Sequence, residues 1–196
     1  MCLVPDGDLF AAISDGGASV VTDRIDTFTE RGLALESGAE LEADIVVSAT
    51  GLNLLPLGGI DLVVDGESIE LAQTLGYKGM MLSGVPNLAA SLGYTNASWT
   101  LKCDLTCEYV CRLLNHMDRG GYAYCTPQDR DPSVAREPFI DFSSGYVQRA
   151  IAKFPKQGSK HPWRLYQNYA RDIVSLRYGS LEDEAMEFSR PAAAVS

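Results

Sequence analysis

Short apolar runs separated by turn residues make up much of the first 90 positions of the chain. Between residues 19 and 51, apolar positions alternate with polar ones or follow each other without a break, and Arg31-Gly32 and Ser37-Gly38 interrupt them. This pattern predicts β-strands with turns at the two interruptions. The continuous run DIVVSA, residues 44–49, is typical of a strand that is buried on both faces.

The pattern predicts one hairpin and one more buried strand before residue 90. Asp65-Gly66 lies between the apolar residues of IDLVVDGESIEL, residues 60–71, and indicates a two-residue hairpin turn. The segment KGMMLSGVPN, residues 78–87, is apolar enough for a buried strand and ends in Gly and Pro.

Helical spacing of apolar residues is found in a short segment, residues 5–17, and in a long one, residues 96–120. In the long segment Asn96 is a good N-cap and Gly120 can end the helix. One face of this predicted helix carries a row of apolar and sulfur-containing side chains, which we expect to be buried: Trp99, Cys103, Cys107, Val110, Cys111, Leu114 and Met117.

Two more helices are predicted near the C-terminus, at residues 143–154 and 163–178. The segment before them, residues 124–138, is rich in proline and charge, as connecting segments are. The last eight residues, SRPAAAVS, predict a frayed tail.

Composition narrows the classes of function. The net charge of −10 argues against nucleic acid as a partner, because phosphate binding requires an excess of Lys and Arg on one face. The five Cys lack the spacing of a disulfide framework, so we expect a reducing, cytoplasmic location. The N-terminus has no signal-peptide pattern, and we expect no transmembrane segment because no apolar run approaches about 18 residues.

The end of the run at residues 44–49 raises a chemical question. Ala49, Thr50 and Gly51 follow it directly. Small residues at a strand end let a backbone or a ligand come close, as dinucleotide-binding folds require. On these three residues alone, a plain tight turn is the favoured interpretation.

Three motifs taken together go further. In order along the chain stand ADIVVSATGLN, YKGMMLSGVPNLA and GYTNASWTLKCDL, and PWRLYQNYARDI comes later. Their order and spacing closely resemble the C-terminal part of flavin-containing monooxygenases, particularly the bacterial Baeyer–Villiger type. The resemblance covers nearly the whole chain.

The resemblance implies an α/β fold, namely an incomplete FAD/NAD(P)-binding, Rossmann-like fold of a two-dinucleotide-binding-domain flavoprotein with a helical C-terminal extension. Residues 1–120 would be the C-terminal part of the nucleotide-binding domains. Residues 121–138 would be a connector and residues 139–196 the helical extension.

Members of this family use FAD and NADPH. NADPH reduces the flavin, and O2 then provides one oxygen atom to a ketone, a sulfide or an amine while the other leaves as water. The protein's part in such chemistry is orientation and electrostatics. We therefore expect a small organic ketone or sulfide and O2 as substrates of the complete enzyme.

The resemblance also implies which residues lie at the cofactors. One group lies at a strand end beside the dinucleotide sites, and the other begins a helix whose N-terminus points at the flavin ring, where free amides favour negative charge. We assign no catalytic residue and no metal ligand. The expected cofactor-binding residues are Ala49, Thr50, Gly51, Thr95, Asn96, Ala97 and Ser98.

Important parts of the family pattern are absent from the sequence. No GxGxxG occurs, although the family binds each dinucleotide with such a loop. The opening MCLVPDGDLF is similar to the interior of family members, so we expect a C-terminal portion that is inactive alone. A non-catalytic association module and a truncated product without independent activity are the alternatives.

Other candidates for chemistry are weaker. Cys103, Cys107 and Cys111 are spaced by four residues, which favours core packing over a metal site. Lys102 has polar neighbours, which favours a solvated lysine. Three aromatic residues near the C-terminus can pack or line a substrate entrance, and they are Trp163, Tyr166 and Tyr169.

A portion of a nucleotide-binding fold has a physical liability. Strands such as residues 44–49 normally lie between neighbours, and removing the neighbours exposes edges and apolar faces. We therefore expect association with an upstream half of the enzyme, self-association or poor solubility.

Overall fold

The computed structural model describes residues 4–191, and these residues form two compact units. One unit comprises the described residues up to Thr50, and the other begins at Gly51. The boundaries expected at residues 120 and 138 stay a prediction.

The first unit contains a short helix and a three-stranded antiparallel sheet. Helix α1 (Asp8–Ser14) follows a 3-10 turn at Pro5–Gly7, and strands β1 (Ile25–Thr29), β2 (Gly32–Leu35) and β3 (Glu40–Glu42) pair in chain order. The helix and both predicted turns are confirmed. Gly32 is required where β2 meets β3, because a Cβ there would lie 1.9 Å from the Leu41 carbonyl oxygen.

The strand predicted at residues 44–49 is wrong for this structure. The segment has no regular secondary structure and no strand partner among the described residues, and Ile45 and Val47 are 82% and 84% exposed. An apolar run becomes a strand only where neighbouring strands satisfy its backbone and cover its faces. Within residues 4–191, no strand pairs with this segment and its apolar side chains are not covered.

The second unit begins with two tight hairpins. The first joins β4 (Val63–Val64) to β5 (Glu67–Ser68), with Asp65 and Gly66 at φ 52° and 86°. Positive φ at both central residues matches the turn that the Asp-Gly pair predicts. The second joins β6 (Gly76–Tyr77) to β7 (Met81–Leu82).

The second hairpin corrects the single strand predicted at residues 78–87. Burial is as expected, since the residues from Thr74 to Leu82 are buried. The backbone, however, reverses at Lys78 and Gly79, which have φ of 49° and 73°. A left-handed pair of this kind cannot continue a strand, so residues 78–87 contain the hairpin turn and the short strand β7 instead of one long strand.

Helix α2 (Trp99–Gly120) is the longest element, as predicted, but it buries a different face. Ser98, not Asn96, is the N-cap residue, and Gly121 at φ 63° is the left-handed residue after the helix. Trp99, Cys107 and Leu114 are exposed. The buried face is made of Lys102, Leu105, Thr106, Tyr109, Leu113 and Met117.

The remaining elements are short. Strand β8 (Tyr124–Pro127) pairs with β11 (Met186–Ser189), and β9 (Arg136–Pro138) pairs with β10 (Lys156–Gly158), both antiparallel. Helix α3 (Gly145–Ala150) confirms the helix predicted at residues 143–154. The other helical segments are α4 (Tyr169–Asp172), a π-helical turn at Ile173–Tyr178 and 3-10 turns at Pro56–Gly59, Leu71–Gln73 and Ile151–Lys153.

The helix predicted at residues 163–178 begins late. Residues Trp163 to Asn168 are irregular, and Gln167 is left-handed at φ 51°. The Asn168 side chain accepts a hydrogen bond from the Arg171 amide and so caps α4. The helical spacing of the aromatic residues therefore does not correspond to one continuous helix.

The core of the second unit lies where α2 meets the β6–β7 hairpin and the segment around α4. Its largest fully buried side chains include Leu75, Tyr77 and Leu105. Tyr77 and Trp163 meet edge to face, with ring centroids 5.7 Å apart. The described residues are thus mixed α/β with small sheets, and the Rossmann-like arrangement stays a prediction.

Candidate functional site

A cavity of about 700 Å³ lies in the second unit. Its volume falls within the range of small-molecule pockets. Four segments form its wall: the turn of the β6–β7 hairpin, residues 92–102, residues 139–140 and residues 161–183. Most of the exposed wall is apolar, although lysine, arginine, aspartate, histidine and hydroxyl side chains also reach it.

Lys102 is one of these polar groups, and the expectation of a solvated lysine was wrong. Its side chain is only 9% exposed, and its Nζ donates to Asp172 Oδ2 at 2.8 Å. The hydroxyl of Tyr94 donates to the same oxygen at 2.6 Å. Burial, followed by this bond to Asp172, raises the pKa of the Tyr94 hydroxyl, which therefore stays protonated.

Lys78 is a second buried lysine in the cavity wall. Its side chain is 3% exposed, and Nζ lies 3.1 Å from Asp183 Oδ2. Nζ also donates to the Tyr109 hydroxyl and to the Ser180 carbonyl, each at 3.3 Å. The ion pair belongs to a network that joins α2 to the β6–β7 hairpin. Lys78 contacts Tyr109 of α2, and Asp183 also accepts from Tyr77 of β6 at 2.7 Å.

His161 also lines the cavity. Its Nε2 lies 3.4 Å from Ser175 Oγ. Burial, followed by the cation of Lys78, lowers the pKa of the imidazole below 6.5, while Asp183 acts in the opposite direction. The ring is thus held neutral at the edge of the cavity.

The three aromatic residues considered for a substrate entrance have different roles. Tyr166 lines the cavity, and the guanidinium of Arg171 lies 3.6 Å from its ring centroid. Trp163 is buried in the core. Tyr169 packs against Tyr94 with ring centroids 6.4 Å apart.

The residues expected at the flavin ring form an exposed loop before α2. Thr95 borders the cavity, and its amide donates to Gln167 Oε1 at 3.0 Å. The Asn96 side chain donates to the Gln167 carbonyl at 3.1 Å instead of capping the helix. Ala97 and Ser98 are exposed. The structure thus brings this loop to the cavity rim.

The other expected cofactor residues lie where the two units join. Ala49 and Thr50 are exposed at the end of the first unit, after a segment that is not a strand. Gly51 begins the second unit with φ of 90°. A Cβ there would lie 3.2 Å from Tyr146 Cβ, so both backbone and neighbour favour glycine.

The cysteines of α2 are not core residues, contrary to expectation. Cys103 is partly buried, whereas Cys107 and Cys111 are exposed. Within residues 4–191, no three His, Cys, Asp or Glu side chains are placed to hold a metal ion.

Sequence reasoning missed the polar groups of the cavity, of which Lys102 had the clearest signal. Lys102, Leu105 and Tyr109 follow the helical spacing i, i+3, i+7, and a lysine in such a row indicates a buried charge that needs a partner. The partner, Asp172, lies 70 positions away. No local pattern identifies it.

None of the helices between residues 4 and 191 combines the length and apolar character needed to cross a membrane. The cytoplasmic location stays a prediction.

Comparison with known proteins identifies the class to which this arrangement is related. Along nearly its whole length, the chain is homologous to the C-terminal portion of FAD-containing monooxygenases, which confirms the resemblance. It spans about 40% of the length of these curated relatives. No protein-family model matches it.

Particular relatives come from two groups of bacteria. The FAD-containing monooxygenase EthA of Mycobacterium tuberculosis is 52% identical over 195 residues, which are 100% of this chain and 40% of EthA. The putative FAD-containing monooxygenase MymA of the same organism is 49% identical over 98% of this chain and 39% of MymA. The probable FAD-binding monooxygenase AlmA of Acinetobacter baylyi is 44% identical over 97% of this chain and 38% of AlmA.

Proposed function

We propose that the chain is the C-terminal portion of an FAD- and NADPH-dependent monooxygenase, and that it supplies the flavin-side loop and the substrate cavity. Oxygenation of a ketone in a Baeyer–Villiger reaction is the favoured chemistry, with sulfide or amine oxidation as the other form. The observation that carries the proposal is the 52% identity with an FAD-containing monooxygenase over the whole chain.

The residues before α2 fit a flavin ring. Helix α2 has no side-chain cap and no acidic residue in its first turn. Its first amides therefore retain the partial positive charge of a helix N-terminus, which stabilises negative charge on a reduced flavin. When bound, FAD would supply the activation of O2, and Thr95, Asn96, Ala97 and Ser98 would hold the ring.

The residues that line the cavity would bind the organic substrate. Apolar side chains such as Leu165 and Val174 favour an apolar substrate and exclude water from it. The rim at Thr95 brings such a substrate to the loop that would hold the flavin. Orientation at this rim is the contribution of the chain to the reaction.

We do not assign the binding of the cofactor phosphates to this chain. The sequence has no GxGxxG, so the phosphates of FAD and NADPH would bind to the part of the enzyme that corresponds to the unmatched length of the relatives. The chain alone is expected to be inactive.

A flavin titration of the purified chain tests the proposal. FAD fluorescence should be quenched, with one FAD bound per chain, only when the remaining N-terminal portion of a relative such as EthA is co-expressed. The variant Ala97→Glu should weaken that binding, because a carboxylate beside the helix N-terminus neutralises the partial positive charge of the amides that would face the ring. Ala89→Glu, at another exposed position, is the matched control.

Two results would contradict the proposal. Stoichiometric FAD binding with substrate-dependent NADPH oxidation by the chain alone would show that no second portion is required. Absence of FAD binding in both samples, with a cooperatively folded chain, would favour a protein-association module.

A further inference from the structure

The two buried lysines of the cavity differ in how many of their donors are used. An ammonium group has three N–H donors. Lys78 donates to the Tyr109 hydroxyl and the Ser180 carbonyl, and it also forms an ion pair with Asp183. For Lys102, the described residues provide one hydrogen-bond acceptor, Asp172 Oδ2, and the Tyr94 ring centroid lies 5.7 Å from Nζ.

The unused donors of Lys102 lie at the cavity. Lys102 lines the cavity with its side chain 9% exposed, so access to bulk water is small. Asp172 and Tyr94 fix its position, because Asp172 Oδ2 accepts from both. A buried donor without an acceptor is costly, and an acceptor brought by a ligand would remove that cost.

The charges of the wall favour a neutral ligand. Lys102 is balanced by Asp172 and Lys78 by Asp183. Arg164 is likewise balanced by Glu137. Arg171 also lines the cavity and has no carboxylate at ion-pair distance among the described residues, but it is exposed to solvent and its guanidinium lies over the Tyr166 ring. A ligand carboxylate would come close to Asp172 and would lose its hydration in a mostly apolar cavity, which disfavours binding.

We infer that Lys102 is a specificity-determining residue, which donates a hydrogen bond to the single acceptor atom of a neutral, otherwise apolar ligand in the cavity. That this ligand is the substrate of oxygenation rests on the proposed function. The binding itself does not, because it needs neither FAD nor a second portion of the enzyme.

Calorimetric titration of the 196-residue chain without flavin tests the inference with three probes of equal chain length. We expect 2-octanone to bind more tightly than octane, which has no acceptor, and more tightly than octanoate, which is charged. Equal binding of 2-octanone and octane would overturn the role of the donor. Preferred binding of octanoate would overturn the neutrality of the ligand.

Variants of Lys102 and Asp172 test whether the preference for 2-octanone depends on the Lys102 donor. Lys102→Met/Asp172→Asn removes both charges and leaves no carboxylate unpaired. It should bind octane as the unaltered chain does and lose about tenfold in affinity for 2-octanone, the size of one hydrogen bond from a charged donor. Asp172→Asn alone keeps the donor and should retain preference for 2-octanone, as should Lys153→Met on the surface.

The melting transition distinguishes misfolding from loss of the donor. A double variant that melts cooperatively and still prefers 2-octanone to octane would overturn the inference. If the double variant does not fold, Lys102→Met alone takes its place. Methionine has no N–H donor, so the same loss of preference is expected.

Discussion

His161 illustrates how one residue is controlled by its surroundings. Burial and the cation of Lys78 both oppose its protonation, and Asp183 offsets them only in part. The folded state therefore binds a proton on this ring less readily than the unfolded state does. Well above pH 6.5 the ring is neutral in both states and the difference has no effect.

The pH dependence of stability follows from that difference. As the pH falls below about 6.5, the unfolded chain is protonated first at His161, so the free energy of unfolding decreases until the folded pKa is passed. Replacement by His161→Gln should flatten the decrease in melting temperature between about pH 6.5 and pH 5. Ser91→Ala, at an exposed position, leaves the imidazole and its neighbours unchanged and is the control. An unchanged slope in the Gln variant would show that another group titrates.

At the scale of elements, α2 shows which face of a helix the fold selects. Leu105 is 0% exposed and belongs to the core, whereas Leu114, on the face expected to be buried, is 59% exposed. The two residues have the same side chain in the same helix. They therefore form a matched pair for measuring burial.

The pair makes a quantitative prediction. Leu105→Ala should lower the free energy of unfolding by about 2–5 kcal/mol, because it leaves a cavity in a packed core. Leu114→Ala should change it by less than about 0.5 kcal/mol. Denaturant unfolding of the two variants gives both values. Equal losses would mean that the outer face of α2 is also covered.

Local chemistry explains which elements could be predicted from the sequence. Asp65-Gly66 specifies its own hairpin turn, and a glycine ends α2 within one residue of the expected position. The face of α2 could not be predicted in this way, because cysteines and lysines follow a helical period as readily as leucines do. The strand prediction for residues 44–49 was wrong for a related reason. A strand depends on partner strands that its own residues do not specify.

At the scale of the whole molecule, apolar side chains remain uncovered. In the described part of the first unit, Leu35 is the one large apolar side chain that is buried, while Phe10, Phe28 and Val47 are exposed. Apolar surface of this extent promotes association.

We therefore expect the chain to self-associate. Sedimentation velocity should show oligomers that increase with protein concentration, and Phe28→Ser/Val47→Ser should reduce them because less apolar area is buried on association. Thr27→Ser, at an exposed polar position in the same unit, is the control. A monodisperse monomer at every concentration would be the opposite result.

The candidate site was only partly predictable at this scale. The loop at residues 95–98 could be located because its motif is continuous in sequence. The acceptors of the two lysines could not, since Asp172 and Asp183 reach them from the far end of the chain. Buried ion pairs between distant segments have no local signature.

Gln167 connects the two halves of the proposed site. Its side chain accepts from the Thr95 amide, and its carbonyl accepts from the Asn96 side chain. A single left-handed residue thus joins the loop at residues 95–98, where we propose that the flavin ring binds, to the segment that lines the cavity. Occupancy of the cavity and order in the loop should then be thermodynamically linked, so that each increases the other by the same factor.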